Sequence, residues 1–149
     1  MSVRAVFAAA LAVAALPLAA PTNTASASGD ECAEFLRGWN AGQAVTNRRQ
    51  VVLDRNKAGE SEAAHQAALR QISGYFRQEA QIWHDTADRV STPELRDSIE
   101  GVAEEFDAGA EDPTLVDEKL GGDSFWNAMR PLLDAVRDTC PIAYNQITH

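Results

Sequence analysis

Three side chains interrupt apolar helical stripes in this 149-residue sequence: Arg49, His65 and Glu79. A cation or carboxylate facing a core either belongs to a structural ion pair or holds a ligand. Arg49 could anchor a small anion, with Gly42 and Thr46, on the same stripe two turns and one turn earlier, leaving the room. A tight phosphate or dicarboxylate site converges several donors, and the stripes carry a single inward cation. The pattern therefore points first to a structural ion pair and second to an anion site.

Geometry bears on which partner Arg49 takes. In an antiparallel hairpin turning near Gly59, Arg49 is level with Ala68, and Glu79 is level with Gly38 and Trp39. At 1.5 Å per residue, Arg49 and Glu79 then lie about 16 Å apart, too far to bond. On this register the Trp39 indole N–H satisfies Glu79, and Arg49 faces the end of the bundle that holds Glu111, Asp112 and Asp123.

Other chemistries find less support. His65, His84 and His149 show neither H-E-x-x-H nor H-x-x-E-H spacing, so no metal site is expected. His84 and Asp88 are one turn apart on a polar face, the usual place of a solvated contact. The acidic run from Asp107 to Asp123 lacks the alternating ligands and central glycine of an EF-hand loop. No nucleophile elbow, Gly-rich phosphate loop or Cys–His pair is present, so no catalytic residue is assigned and no cofactor is expected.

Four helices must position these side chains. The longest periodic stretch, Ser61 to Val90, puts Leu69, Ile72, Phe76, Trp83 and Val90 on one stripe and Arg70, Arg77, Gln81, His84 and Asp88 opposite. A first helix from Glu31 to Lys57 carries Phe35, Trp39, Val45, Val52 and Leu53, with Gly59 beyond its end. Ser91-Thr92-Pro93-Glu94 starts a third helix with Leu95, Ile99, Val102 and Phe106 inward. Asp112-Pro113 opens a short helical turn through Leu120. Asp123 is the expected cap of a last helix whose stripe is Phe125, Met129, Leu132, Val136 and Cys140. Pro131 lies within that helix and Pro141 stops it, leaving 142–149 as a loose tail. Short connections make the fold an all-α, up-down-up-down four-helix bundle with a short extra helix before the last.

The two cysteines, Cys32 and Cys140, fall at the start of the first helix and the end of the fourth. Up-down topology brings those points together, and an isolated even pair in an oxidising compartment is most simply a disulfide. The compartment is indicated by the N-terminus. Arg4, the apolar run Val6–Ala20 and Ala25-Ser26-Ala27 have the form of a cleavable signal peptide, residues 1–27, too short and too interrupted to span a bilayer. Residues 28–149 then form a single domain. Removal of Arg4 with the leader leaves 12 basic residues against 22 acidic ones, a net charge of −10. Nucleic acid and anionic lipid are poor partners for such a chain.

The leader, the Cys32 and Cys140 bracket, Asp138-Thr139-Cys140-Pro141 and the Ala-rich apolar stripes resemble small exported all-helical proteins of actinobacteria. That resemblance implies an extracellular helical bundle and no activity. The style also resembles secreted all-helical chorismate mutases, whose dianionic substrate requires several inward cations where this chain has one. The leading expectation is an exported, non-enzymatic binding module with a protein or small-molecule partner. The alternatives are a carrier of an anion or metal in the bundle core and, third, a small secreted enzyme. An inward cavity next to Arg49 favours the carrier; a solid core with a contiguous exposed surface favours a protein partner.

Overall fold

Residues 26–56, 61–115 and 122–149 are described by a computed structural model. The expected leader, but for Ser26 and Ala27, the expected end of the first helix at Lys57 with Gly59, and the stretch 116–121 expected to complete the short extra helix lie outside the described residues. Within them the chain forms five α-helices: α1 (Gly29–Asn56), α2 (Glu62–Ala87), α3 (Pro93–Glu111), α4 (Asp123–Thr139) and α5 (Pro141–Thr148). A single 3-10 turn at Pro113–Leu115 precedes α4. The bundle is up-down-up-down, and Cys32 and Cys140 are joined by a disulfide with Cα atoms 5.6 Å apart.

Local chemistry accounts for most helix ends. Ser61 caps α2, its hydroxyl accepting the Ala64 N–H at 3.4 Å. Pro93 and Pro141 occupy first-turn positions of α3 and α5, where no intrahelical N–H is required. Two expected caps differ. Gly122, not Asp123, is the cap residue of α4, and Asp123 sits in its first turn. Thr92 makes no side-chain cap to its own helix. The N-terminus of α3 is satisfied instead from α1: the Glu31 carboxylate accepts the backbone N–H groups of Ser91 at 2.6 Å and Thr92 at 2.9 Å, and the Ser91 hydroxyl at 2.7 Å. These bonds, with one from the Ser28 N–H, hold the Glu31 pKa down at about 2.

The tail is a second departure. Pro141 ends α4 and begins α5, and Ala143, Tyr144 and Ile147 return to the core at helical spacing. The expected loose segment is therefore a helix, because a proline that cannot continue one helix is pre-set to start the next.

Burial follows the apolar stripes. Phe35, Ile72, Leu95, Ile99, Val102, Leu132 and Val136 are fully buried, with Phe76 and Cys140 nearly so. The helices pack in chain order, α1 on α2, α2 on α3 and α3 on α4, while α5 bridges from α4 to α1. The fourth side of the bundle, between α1 and α4, has little close backbone packing among the described residues and is tied by the disulfide and α5.

Candidate functional site

The unpacked side holds a cleft of about 240 Å³. Helices α1 and α2 contribute Trp39, Gly42, Thr46 and Arg49 with Glu79 and Trp83; α3 and α4 contribute Phe106, Phe125 and Met129. Gln43 and Gln50 lie along its edge and are exposed.

Its geometry begins with the register of α1 on α2. A Cβ built on Gly42 would stand 3.7 Å from Trp83 Nε1, and Thr46 meets Glu79. The register is displaced by about two helical turns from that of a hairpin turning near Gly59. The first turns of α2, where Glu62, Ala63, Gln66 and Ala67 are exposed, extend past the end of α1. This corrects three expectations at once. Arg49 bonds Glu79 directly, Trp39 is not the partner of Glu79, and Arg49 does not face Glu111, Asp112 and Asp123. Two helices joined by a short connection need not start level with each other; side-chain interlocking, here Gly42 on Trp83 and Thr46 on Glu79, sets the register.

Glu79 is fully buried and its carboxylate is shared. Oε2 takes Arg49 Nη1–H, and Oε1 takes the Thr46 hydroxyl at 2.6 Å. The Arg49 guanidinium also lies over Phe76, 5.0 Å from the ring centroid, and 5.7 Å from that of Phe106. Burial lowers its pKa to about 10, so it stays charged at neutral pH. One donor is left over: Arg49 Nε–H is buried without a hydrogen-bond partner among the described residues. Such groups are rare in native cores and call for an explanation.

The aromatic lining falls into two pairs. Trp39 and Trp83 meet edge to face, with centroids 6.1 Å apart, and Phe106 and Phe125 do the same at 5.9 Å. Gly42 has no side chain to cover the Trp83 indole edge. Gly38, one turn earlier, serves packing instead, since an added Cβ would collide with the Thr86 side chain.

Of the residues singled out from the sequence, Arg49, Thr46, Gly42 and Glu79 converge on the cleft. His65 does not; it is half-buried near the start of α2 and outside the lining. Trp83, Phe106, Phe125 and Met129 were legible only as core. A partial signal did exist, because Trp39, Gly42, Thr46 and Arg49 follow one another at steps of three, four and three on a single stripe. His84 also departs from expectation. It is not a surface partner of Asp88 but bridges to α3, with Nδ1 2.7 Å from Glu100 and Nε2 2.8 Å from Asp107.

No group of three or more His, Cys, Asp or Glu among the described residues is arranged to hold a metal ion. No described helix is long and apolar enough to cross a membrane. A second concavity of about 440 Å³ lies beside the disulfide, lined by Cys32, Leu36, Thr139, Cys140 and Ile142 among others. No charged side chain is among its described lining residues. No protein-family model matches the chain, and neither a curated protein nor a solved structure does.

Proposed function

We propose that the chain is an exported, non-enzymatic binding protein that holds a small organic molecule in the cleft between α1 and α4. The observation that carries this reading is the cleft itself, an inward cavity beside Arg49 where a closed bundle would place a fourth helix–helix interface. Ligand sites are concave, mostly apolar and furnished with a few fixed polar groups, and this one has that composition. At about 240 Å³ it lies just below the usual range of about 300–1,000 Å³, which suits a small ligand. An enzyme is disfavoured because the ionisable side chains lining the cleft, Arg49 and Glu79, are committed to each other. A protein-docking role has less support: among the described residues the large exposed apolar side chains, Val51, Trp126 and Ile142, stand on three different helices. Export is supported by the leader-like N-terminus and the disulfide.

Native mass spectrometry of the protein secreted by its own host tests this reading. The wild-type protein should carry a bound small molecule, and Gly42→Phe, which places a ring over the Trp83 edge, should emerge without it. A bare polypeptide mass for both, together with no response of Trp39 or Trp83 to any compound in a small-molecule screen, would refute it.

A further inference from the structure

Removal of the leader changes the chemistry at the start of α1. We propose that hydrolysis of the Ala27–Ser28 bond creates an α-ammonium group that Glu31 receives as an ion pair, so that processing completes a clasp between α1 and α3. The proposal rests on the export half of the reading above and not on the cleft.

Ser28 and Glu31 cap each other. The Ser28 backbone N–H donates to Glu31 Oε2 at 2.8 Å, and the Glu31 N–H donates to the Ser28 hydroxyl at 3.2 Å. The Ser28 carbonyl accepts the Cys32 N–H at 3.1 Å. The bonds to the Ser28 hydroxyl and carbonyl come from residues within α1, so they hold Ser28 whether or not the leader is attached. Oε1 of the same carboxylate accepts the N–H groups of Ser91 at 2.6 Å and Thr92 at 2.9 Å, 60 and 61 residues along the chain. One side chain therefore joins the start of the processed chain to the start of α3.

Ala25-Ser26-Ala27 places small residues where a signal peptidase reads them, with the cut after Ala27. Water adds across that amide. Its oxygen goes to the new Ala27 carboxylate, and the Ser28 nitrogen leaves as an ammonium. A nitrogen that donated one neutral N–H now carries a charge and three donors, one for Glu31 and two for water, since Ser28 is exposed. A charge-assisted bond is roughly twice as strong as a neutral one. The α1 dipole opposes it, because its positive end, about half an elementary charge, disfavours a cation. A full carboxylate charge at 2.8 Å outweighs that half charge spread over the first turn. Asp30, in the same turn, adds negative charge. Glu34, one turn on, is engaged by Arg37 and Arg89. From the α4–α5 junction, Thr139, Cys140, Pro141, Ile142 and Ala143 approach this end of α1, and none carries a charge.

Protein secreted by its own host provides the test. Mass spectrometry identifies its first residue, which should be Ser28. The α-amine is then titrated by NMR through the Ser28 Cα resonance. Its midpoint should lie about half a pH unit above the ordinary α-amino range of about 7.7–8.0. Glu31→Gln should return the midpoint to that range or below it, since the dipole then acts alone. A wild-type midpoint at or below about 8 would overturn the ion pair while leaving export intact. A midpoint still raised in Glu31→Gln would overturn the part given to Glu31. A first residue other than Ser28 would overturn the proposal together with the leader boundary, and the cleft is untouched by any of these results. Should Glu31→Gln not fold, the wild-type midpoint alone decides.

Discussion

The α2–α3 interface and the α1–α4 side are built from the same kinds of helix and come out opposite. Between α2 and α3, Ile72, Phe76 and Ala80 belong to one buried cluster with Val102, Ala103 and Phe106, and the rings of Phe76 and Phe106 lie 6.0 Å apart. Phe76 lies so close to Gly109 that an added Cβ would be 3.0 Å from its ring, and the Ser73 hydroxyl donates to the Ala110 carbonyl at 2.7 Å. Between α1 and α4 the matching positions carry Gly42, Thr46 and Arg49, and a cleft remains. Stability alone would favour the first arrangement on both sides. A buried ion pair contributes little net stability compared with apolar residues of the same volume. Proteins that break local packing rules do so most often at functional sites, which is the ground for placing the proposed binding site on the open side. Substitutions can break or sharpen that contrast.

The disulfide should give the largest effect, because it stands in for packing on the open side. It closes a loop with a sequence separation of 108, worth about 4–5 kcal/mol in the chain-entropy model. Cys140→Ser should lower the stability by an amount of that order and the unfolding midpoint with it, with helix content at low temperature nearly unchanged. Circular dichroism melts check both parts, and an unaltered midpoint would show that packing holds the open side shut.

The ion pair comes next. Glu79→Ala leaves the Arg49 charge buried without its partner and should cost about 3–5 kcal/mol in denaturant unfolding. Replacing both, Arg49→Met with Glu79→Met, makes the α1–α2 contact beside the cleft apolar. That double variant should match the wild type or exceed it by about 1–4 kcal/mol. Additive costs in the double variant would mean that the two charges are not coupled.

Gly38 and Gly42 form a smaller version of the same contrast. Gly38→Ala puts a Cβ into the Thr86 side chain, 3.0 Å even from its Cβ, so rotation about χ1 cannot relieve the clash. A cost of about 1–3 kcal/mol is expected. An alanine at Gly42 makes only ordinary contacts, the nearest at 3.7 Å, and gains about 0.5–1 kcal/mol of helix propensity. The two melts should move in opposite directions.

What the sequence disclosed divides along physical lines. Periodicity reports which residues of one helix share a face, so the stripes, the four main helices and the Cys32–Cys140 meeting point were legible, whereas the short helix Pro141–Thr148 was not. It also flagged Arg49 and Glu79 as intruders. How far one helix slides along another is fixed by side-chain interlocking between the two, here Gly38 on Thr86 and Thr46 on Glu79, and no single-helix pattern encodes it. The Arg49–Glu79 pair was lost for that reason alone. The cleft was illegible for a related one: an apolar residue facing a cavity and one facing a packed core read identically. Glu31 escaped notice because it acts across helices, capping α3 from α1.

The smallest effect lies on the solid side and is set by pH. His84 joins α2 to α3, and the hydrogen bond to Asp107, aided by the charge of Glu100, raises its pKa above the ordinary value. A raised folded pKa means that the charged imidazolium stabilises the fold. That contribution is complete below the unfolded value of about 6.5 and is lost as pH rises through the higher folded one. Glu31 has the opposite sign. Its folded pKa of about 2 gives stability that is present above the ordinary carboxylate value and is lost as pH falls toward 2. The two slopes leave a plateau from about pH 4.5 to 6.5. His84→Gln should flatten the alkaline slope and leave the acid one intact, whereas Glu31→Gln should do the reverse. Because the His84 side chain is 33% exposed, its share should stay within about 1 kcal/mol. The direct check is an NMR titration of the imidazole. A midpoint at or below 6.5 would show that Glu100 and Asp107 do not hold the proton, leaving the α2–α3 interface dependent on packing alone.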